Sequence, residues 1–417
     1  MVAKDIAVII LAAGKGVRMK SDIPKVLHPV CGRPLLEYLL DLVDSLKAKR
    51  NIAVLGYKHH EVGKFLRPGI KSVIQKKLIG TADAVKTAAR LLKDFKGTVL
   101  VLYADTPLLK KETINKLLEY HISNGSDATL LTAKMNKPSG YGRVLRDEYG
   151  AISGIVEEKD ADEFQKGIKE VNTGIICFNK ERLFDVLRRI SPDNRKKEYY
   201  LTDAVSLLYK KGYVVDGLKI DDASEAMGIN SRVELSEASR IMQKRINEKL
   251  MREGITITDP GTTFINYGVK IGQDTVIYPF TVIESNVKIG RRCSIGPFIH
   301  LREGTHLEDG ITAGNFLEIV RSRVSSGTFL KHLGYIGDSR IGRNVNIGAG
   351  TVVANFDGRK KNTTVIKDGA FIGCDTVLIA PVKIGKSART GAGSVVTRNK
   401  NVGSGMTVMG VPAKPLK

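Results

Sequence analysis

"IGQDTVIYPFTVIESNVKIGRRCSIG", residues 271–296, places an aliphatic residue at every sixth position: Ile271, Ile277, Ile283, Ile289 and Ile295. A helix repeats near 3.6 residues and a strand near 2, so this spacing belongs to neither a helix nor a hairpin array. The period extends in both directions. Ile265 precedes the stretch, and Leu301, Leu307, Ala313 and Ile319 continue it. One slip of a residue leads to Val324, Leu330 and Ile336, and a second to Ile341, Ile347 and Val353. The segment "ANFDGRKKNTTV" (354–365) then interrupts the series, which resumes at Ile366, Ile372, Leu378, Ile384, Thr390 and Val396. Gly often follows the aliphatic residue, as in "IGRNVN" (341–346) and "IGCDTV" (372–377). Such a hexapeptide period is the sequence form of a parallel β-helix, in which one aliphatic side chain points inward from each side of a triangular coil. Three hexapeptides per coil give roughly seven coils. A left-handed β-helix is therefore expected over 255–417. Coils of this kind pack into trimers and often hold acyl donors in their grooves, although some are purely structural.

Residues 1–230 follow another rhythm. "DIAVIILAAG", "NIAVLGY", "KSVIQ", "TVLVLYAD" and "DATLLTAKM" read as strands, while "LLEYLLDLVDSLK" and "TADAVKTAARLLKDF" read as amphipathic helices between them. Strand–helix alternation predicts an α/β fold: a mixed, mainly parallel, Rossmann-like sheet covered by helices. Ligands of such sheets bind at the carboxyl ends of the strands. Between the two parts, residues 231–254 carry charge on most faces, with Ser231 as a plausible N-cap and Gly254 as a stop, so one connecting helix is expected there.

A chain of 417 residues is too long for one ordinary core. Its 42% hydrophobic and 26% charged residues describe a globular protein, and no apolar run approaches the roughly 20 residues of a membrane span. The first apolar run leads into a glycine loop instead of a cleavage site, so it reads as a buried strand and not a signal peptide. Four scattered cysteines (Cys31, Cys177, Cys293, Cys374) form no C-x-x-C pair, which points to the reducing cytoplasm and away from a disulfide framework. The formal charge of +22 is large, but the cations are dispersed along the chain, Trp is absent, and no basic arm is interleaved with aromatics. Anionic small substrates are expected, with no nucleic acid and no integral membrane contact.

The loop "LAAGKGVRMKSDIPK" (11–25) has spaced glycines and cations but fits neither common phosphate-loop pattern. Val17 and Arg18 follow Gly16 where a P-loop needs Lys and then Ser or Thr, and Met19 stands where a dinucleotide fingerprint needs its third Gly. The loop resolves into a family when read with the rest of the chain. "LAAGKGVRM" followed by "PK" resembles the signature of sugar-phosphate nucleotidyltransferases. "QKKLIGTADAV" (75–85), "YADTPLL" (103–109), "GYGRV" (140–144), "GIVEEKDA" (154–161), "VNTGI" (171–175), "EYYLTD" (198–203) and "GINSR" (228–232) narrow the likeness. Together with the hexapeptide half, "GTFLKHLGYIGD" (327–338) and "NVNIGAGT" (344–351), the chain resembles the bifunctional bacterial enzymes that make UDP-N-acetylglucosamine. In these, glucosamine-1-phosphate acetyltransferase and N-acetylglucosamine-1-phosphate uridylyltransferase share one chain.

The resemblance implies specific roles. In the first half, Leu11, Ala12, Gly14, Gln75, Gly80 and Thr81 contact the nucleotide of UTP. Arg18 holds the leaving pyrophosphate and Lys25 the α-phosphate, while Asp105 and Asn230 hold magnesium. Gly140, Glu157 and Asn172 contact the sugar of N-acetylglucosamine-1-phosphate. In the second half His332 is the base, with Arg302 and Tyr335 toward the phosphate of glucosamine-1-phosphate and Asn346 near its amine. Ala349, Asn355, Phe356, Cys374 and Ala392 fall at acetyl-CoA positions, and a homotrimer is implied. Read without the resemblance, Asp105 is equally a strand cap, Asn172 and Thr173 turn formers, and His332 a structural histidine.

The chain also departs from the family. Val320 replaces a Lys that contacts the sugar phosphate, with Arg321 adjacent as partial compensation. Phe356 replaces Tyr, Cys374 replaces Ser, and Lys331 stands where a small residue is usual. The hexapeptide region is shorter by a coil or two, and "GVPAKPLK" resembles the tail of simpler hexapeptide acetyltransferases where the family has a longer basic tail that helps hold CoA. The competing expectations are therefore a uridylyltransferase whose β-helix serves assembly or regulation, as in ADP-glucose and GDP-mannose pyrophosphorylases, an acetyltransferase for a different amino sugar, and a non-enzymatic module like translation-factor subunits of this architecture.

Overall fold

The structure, a computed structural model, describes residues 5–416. The chain forms two compact units that divide at Ser239–Arg240. This division falls inside one helix, Arg232–Arg252. The Ser231 hydroxyl accepts from the Glu234 N–H at 3.3 Å near the start of that helix, and Gly254 with φ +92° ends it, as the sequence suggests.

In the first unit a nine-stranded sheet has the order Val215–Ile220, Ala128–Lys134, Glu170–Asn179, Thr98–Tyr103, Ile6–Ala12, Arg50–Leu55, Ile70–Ile74, with a hairpin of Arg143–Arg146 and Ile152–Val156 at Glu170–Asn179. All neighbours along the main order are parallel except those of Glu170–Asn179, which runs antiparallel on both sides. Every residue of Ile6–Ala12 is buried, as befits a central strand with both faces covered. Its alternate residues enter two separate cores: Ala7, Ile9 and Leu11 on one face, Ile6, Val8 and Ile10 on the other. "TADAVKTAARLLKDF" is shorter as an α-helix than its pattern suggests: Thr81–Thr87 is α-helical, and a 3₁₀ turn follows at Ala89–Leu92. The glycine loop, Asp105 and Gln75 all lie just past the carboxyl ends of parallel strands, at the edge where such sheets bind ligands.

In the second unit the strands form three parallel stacks of ten, eight and seven. Only the last pair of the ten is antiparallel. Coil-to-coil register advances by 18 residues from Ile265 to Ile283, Leu301 and Ile319, then by 17 to Ile336. Each slip in the sequence is thus a coil shortened by one residue, and the inner ladder continues unbroken. Polar Thr390 stands in that ladder with its hydroxyl satisfied by Thr376 Oγ1 and by the Gly373 N–H, each at 3.0 Å. The second part of the long helix covers the first coil, where buried Asn247 donates to the carbonyls of Pro260 and Thr263 at 3.1 Å. Not all cations are dispersed in space. Lys270, Lys288, His306, Arg323, Arg340 and Lys383 share one outer face of the β-helix, interrupted only by Val365.

Ile319 is fully buried in mid-ladder. Ile319→Ala is expected to destabilise the β-helix by about 3 kcal/mol, read as a lower denaturation midpoint by circular dichroism. An unchanged midpoint would contradict a close-packed inner ladder.

Candidate active sites

At the carboxyl edge of the first sheet, the loop 13–24 turns through Gly16 at φ +63°, where a Cβ would lie 2.7 Å from the Lys25 Cβ. Glycine is needed there for the loop to close over Lys25. The Lys25 ammonium bonds to Asp105 Oδ2 and, at 3.0 Å, to Asn230 Oδ1, with the Lys25 and Asp105 side chains only 13% exposed. An amine thus sits where two oxygens from distant segments converge, so the pair has the donor set of a cation site. One carboxylate and one amide suit magnesium, which keeps most of its waters.

A cavity of about 530 Å³ opens beside this cluster. Leu11, Ala12 and Gly14 form one wall, and Gln75, Gly80 and Thr81 another. Gln75 is buried, and its amide donates to the Gly80 carbonyl at 3.0 Å and to Asp83 Oδ2 at 2.9 Å, leaving Oε1 unspent. Gly80 has φ +127°, and a Cβ there would collide with the Tyr199 backbone. That close approach brings the "EYYLTD" segment against the cavity.

A second cavity of about 310 Å³ adjoins the first and shares Thr81, Tyr103, Asp105, Glu198 and Asn230 with it. Gly140, Glu157 and Asn172 line this one. A register shift between Asn172 and Ile176 bulges the strand, and Gly174 N–H donates to Asn172 Oδ1 at 3.1 Å. Asn172 is therefore both a turn former and a lining residue. Glu157 accepts from Thr202 Oγ1 at 3.1 Å, and burial pushes its carboxyl pKa up. Arg18 is placed differently from Lys25: its exposed side chain lines a third cavity with Gly140, Glu157 and Tyr200, apart from the Lys25 cluster.

Several lining residues were not singled out from sequence. Tyr103 and Glu198 line both cavities, and the buried Tyr200 hydroxyl lacks a hydrogen-bond partner. The motifs "YADTPLL" and "EYYLTD" carried the signal, but nothing in them tells which side chains turn inward.

In the second unit, register stacks His332, Ala349, Cys374 and Ala392 at one corner of successive coils. His332 is exposed, and among the described residues no hydrogen bond to its ring is found. Asn346 precedes this corner on the same face. On the adjoining face Tyr335 stands in register with Glu318, which accepts from Arg302 at 2.8 Å. Asn355 approaches the Tyr335 hydroxyl at 3.4 Å and bonds to Asp338, while Phe356 is 60% exposed. The departures at 320 and 321 find a physical account. Val320 is buried, and Arg321 is bidentate to Asp338 at 2.7 and 2.8 Å, which holds the Asp338 carboxyl below its ordinary range. Arg321 therefore braces the Asp338–Asn355 network and is no free replacement for a phosphate-binding Lys. The Lys331 ammonium lies 5.0 Å from the Phe329 ring centroid.

A phosphate-type cleft on an α/β sheet, followed by a hexapeptide β-helix, defines a nucleotidyltransferase joined to a hexapeptide acyltransferase. Residues 8–197 match the MobA-like NTP transferase domain, and residues 268–298 and 363–398 match the bacterial transferase hexapeptide repeats. The chain belongs to the GlmU family. It is 43% identical to the bifunctional protein GlmU of Shouchella clausii over 93% of each chain. Identity is 44% to that of Pelotomaculum thermopropionicum, over 91% of this chain and 90% of the relative. It is 43% to that of Thermosipho africanus, over 94% and 92%. Among the described residues no helix is long and apolar enough to cross a membrane.

Asp203 follows Thr202, which lines the second cavity, and burial, then the Glu157 and Asp160 charges, raise its pKa to about 6. Between the ordinary carboxylate value and this one, the folded chain holds a proton that the unfolded chain has lost, so stability falls as pH rises through that window. Asp203→Asn should stabilise the protein above about pH 6 and not below about pH 4, by on the order of 1 kcal/mol after screening of its part-exposed carboxyl. Thermal midpoints at the two ends check this, and an equal shift at both would contradict it.

Proposed function

We propose that the chain makes UDP-N-acetylglucosamine, acetylating glucosamine-1-phosphate on the β-helix and transferring uridylyl from UTP to the product on the sheet. The observation that carries the second step is the meeting of two cavities at Asp105 and Asn230, the two groups that bind the Lys25 ammonium. UTP fits the first, with Gln75 Oε1 free to accept from the uracil N–H and the open backbone at Leu11, Ala12 and Gly14 beside the phosphates. N-acetylglucosamine-1-phosphate fits the second, with Glu157, Asn172 and the unpartnered Tyr200 hydroxyl toward its hydroxyls and acetamide. The sugar-phosphate oxygen attacks the α-phosphorus, the bond to the β-phosphate oxygen breaks, and pyrophosphate leaves. No side-chain nucleophile is required, because positioning and charge neutralisation do the work. Magnesium, held by Asp105 and Asn230, would neutralise phosphate oxygens. Lys25 then serves the α-phosphate. Arg18 serves the leaving pyrophosphate, which requires its exposed side chain to turn from the third cavity to the nucleotide.

For acetyl transfer, the column of small residues above His332 supports a trough for the pantetheine arm along Ala349, Cys374 and Ala392. The amine, placed by Asn346, attacks the thioester carbonyl of acetyl-CoA, the C–S bond breaks, and His332 takes the proton. Arg302 and Tyr335 face the sugar phosphate. Asn355 and Phe356 complete the site from a neighbouring copy in a homotrimer. Assembly is supported by the exposed stack Phe280–Phe298–Phe316, with ring centroids 4.8 and 5.0 Å apart. Four free thiols are in keeping with a cytoplasmic enzyme.

Lys25→Ala should lower uridylyl turnover by about 3 kcal/mol of barrier while weakening UTP binding far less. Equal losses in both would make Lys25 a ground-state contact. His332→Ala should cut acetyl-CoA-dependent thiol release by roughly two to four orders of magnitude and spare uridylyl transfer. Should the parent protein release no CoA thiol with any amino-sugar phosphate, the β-helix serves assembly alone.

A further inference from the structure

On the first unit a concavity of about 580 Å³ lies between the helix Thr81–Thr87 with its 3₁₀ extension and the helix Lys180–Leu187. It contains none of the residues assigned above. Five cations border it: Lys86, Arg90 and Lys93 on one side, Lys180 and Arg188 on the other. No acidic residue lines it, and among the described residues none of the five has a carboxylate partner within 4.0 Å. The Lys180 ammonium reaches across to the Lys93 carbonyl at 3.3 Å, so the two walls are tied together. The floor is apolar, with Leu187 buried and Phe184 half-buried. Unpaired like charges around a concave apolar floor repel one another and focus a positive field on its interior. Two guanidiniums suit phosphate oxygens, and an apolar floor with an aromatic ring suits a planar base. The volume lies within the usual range for small-molecule sites.

We propose that this concavity is an effector site for a nucleoside polyphosphate, separate from the uridine cleft and coupled to it. The coupling rests on the proposed reading of that cleft, and a chain of hydrogen bonds supports it. Thr87 lines the concavity, and its hydroxyl donates to the Asp83 carbonyl at 2.9 Å. The Asp83 carboxylate accepts from the amide of Gln75, which lines the uridine cleft, as do Gly80, Thr81 and Ala84 of the same segment. One short helix thus borders both cavities, and an anion drawing Lys86 and Arg90 inward bears on the residues that position Gln75.

Calorimetry of the full chain with ATP tests this, with UDP-N-acetylglucosamine saturating the uridine cleft. One ATP per chain is expected, with affinity that falls as salt rises, and tripolyphosphate should bind more weakly because it leaves the floor uncovered. Arg90→Glu with Arg188→Glu should weaken ATP at least about tenfold, with basal uridylyl transfer and melting temperature unchanged, and Arg90→Lys with Arg188→Lys should restore part of the affinity. ATP should change the KM for UTP in the parent and not in the charge-reversed variant. Absence of ATP binding, or binding indifferent to the charge reversal, overturns the site. Tripolyphosphate binding as tightly as ATP overturns the nucleoside assignment, and an unmoved KM overturns the coupling. A parent protein without uridylyl transfer would refute the cleft's assignment while leaving the calorimetric result readable.

Discussion

The Lys25 ammonium joins segments that the chain keeps far apart: Asp105 lies 80 residues away and Asn230 lies 205. The first is the turn after a central strand, the second the turn before the long helix. Both oxygens sit largely out of solvent, and leaving either without a partner costs desolvation that nothing local would offset. Their convergence on one cation fixes the relative positions of the glycine loop, the strand Thr98–Tyr103 and the "GINSR" turn. The two cavities meet there because the same residues wall both. A parallel sheet makes this economical, since adjacent strands end on one edge and every loop leaving that edge faces the same space.

Around that point the second cavity has Glu157 in its wall and Asp203 next to its Thr202, both carboxylates held against their preference for water. Burial raises the pKa of Glu157, and burial with the neighbouring carboxylates raises that of Asp203. A protonated or hydrogen-bonded carboxyl can distinguish hydroxyl and amide groups in a way that a solvated surface does not. The first cavity is different, with the backbone at Leu11, Ala12 and Gly14 and the amide of Gln75 in its walls. The two cavities thus differ in the chemistry of their walls.

Much of this was legible in the sequence, for reasons that can be named. The six-residue period located the β-helix because each coil repeats the same burial, and the one-residue slips were visible because a shortened coil keeps the ladder in phase. The strands were legible because Ile6–Ala12 and Thr98–Tyr103 are apolar on both faces. Asp105 stood out as a charge ending a buried run, and Lys25 through the likeness of its loop to a family signature. The direction of Arg18 was not legible, because a loop's rotation depends on contacts absent from its own residues. Nor was the inward turn of Tyr200, which lies in a segment brought up to the cavity by contact between Gly80 and the Tyr199 backbone. The broken end of "TADAVKTAARLLKDF" escaped too, since its apolar pattern is equally satisfied by a tighter 3₁₀ turn.

The second half shows how a departure from a family pattern can be misread without coordinates. Beside Val320, the adjacent Arg321 looked like a replacement cation, yet its guanidinium is committed to Asp338 and, through it, to Asn355. A residue in the left-handed region, as Arg321 is at φ +45°, projects from a corner of the coil and not from its flat face. Charge conserved along the chain is therefore not charge conserved in space. What the β-helix preserves instead is position: the register that stacks the inner aliphatic ladder also stacks His332, Ala349, Cys374 and Ala392 at one corner. Substituting Cys374 or Phe356 alters a surface without moving that column, because the packing that sets it lies inside the coil. The scaffold fixes where that corner column lies, and the exposed side chains decide only the chemistry of its surface.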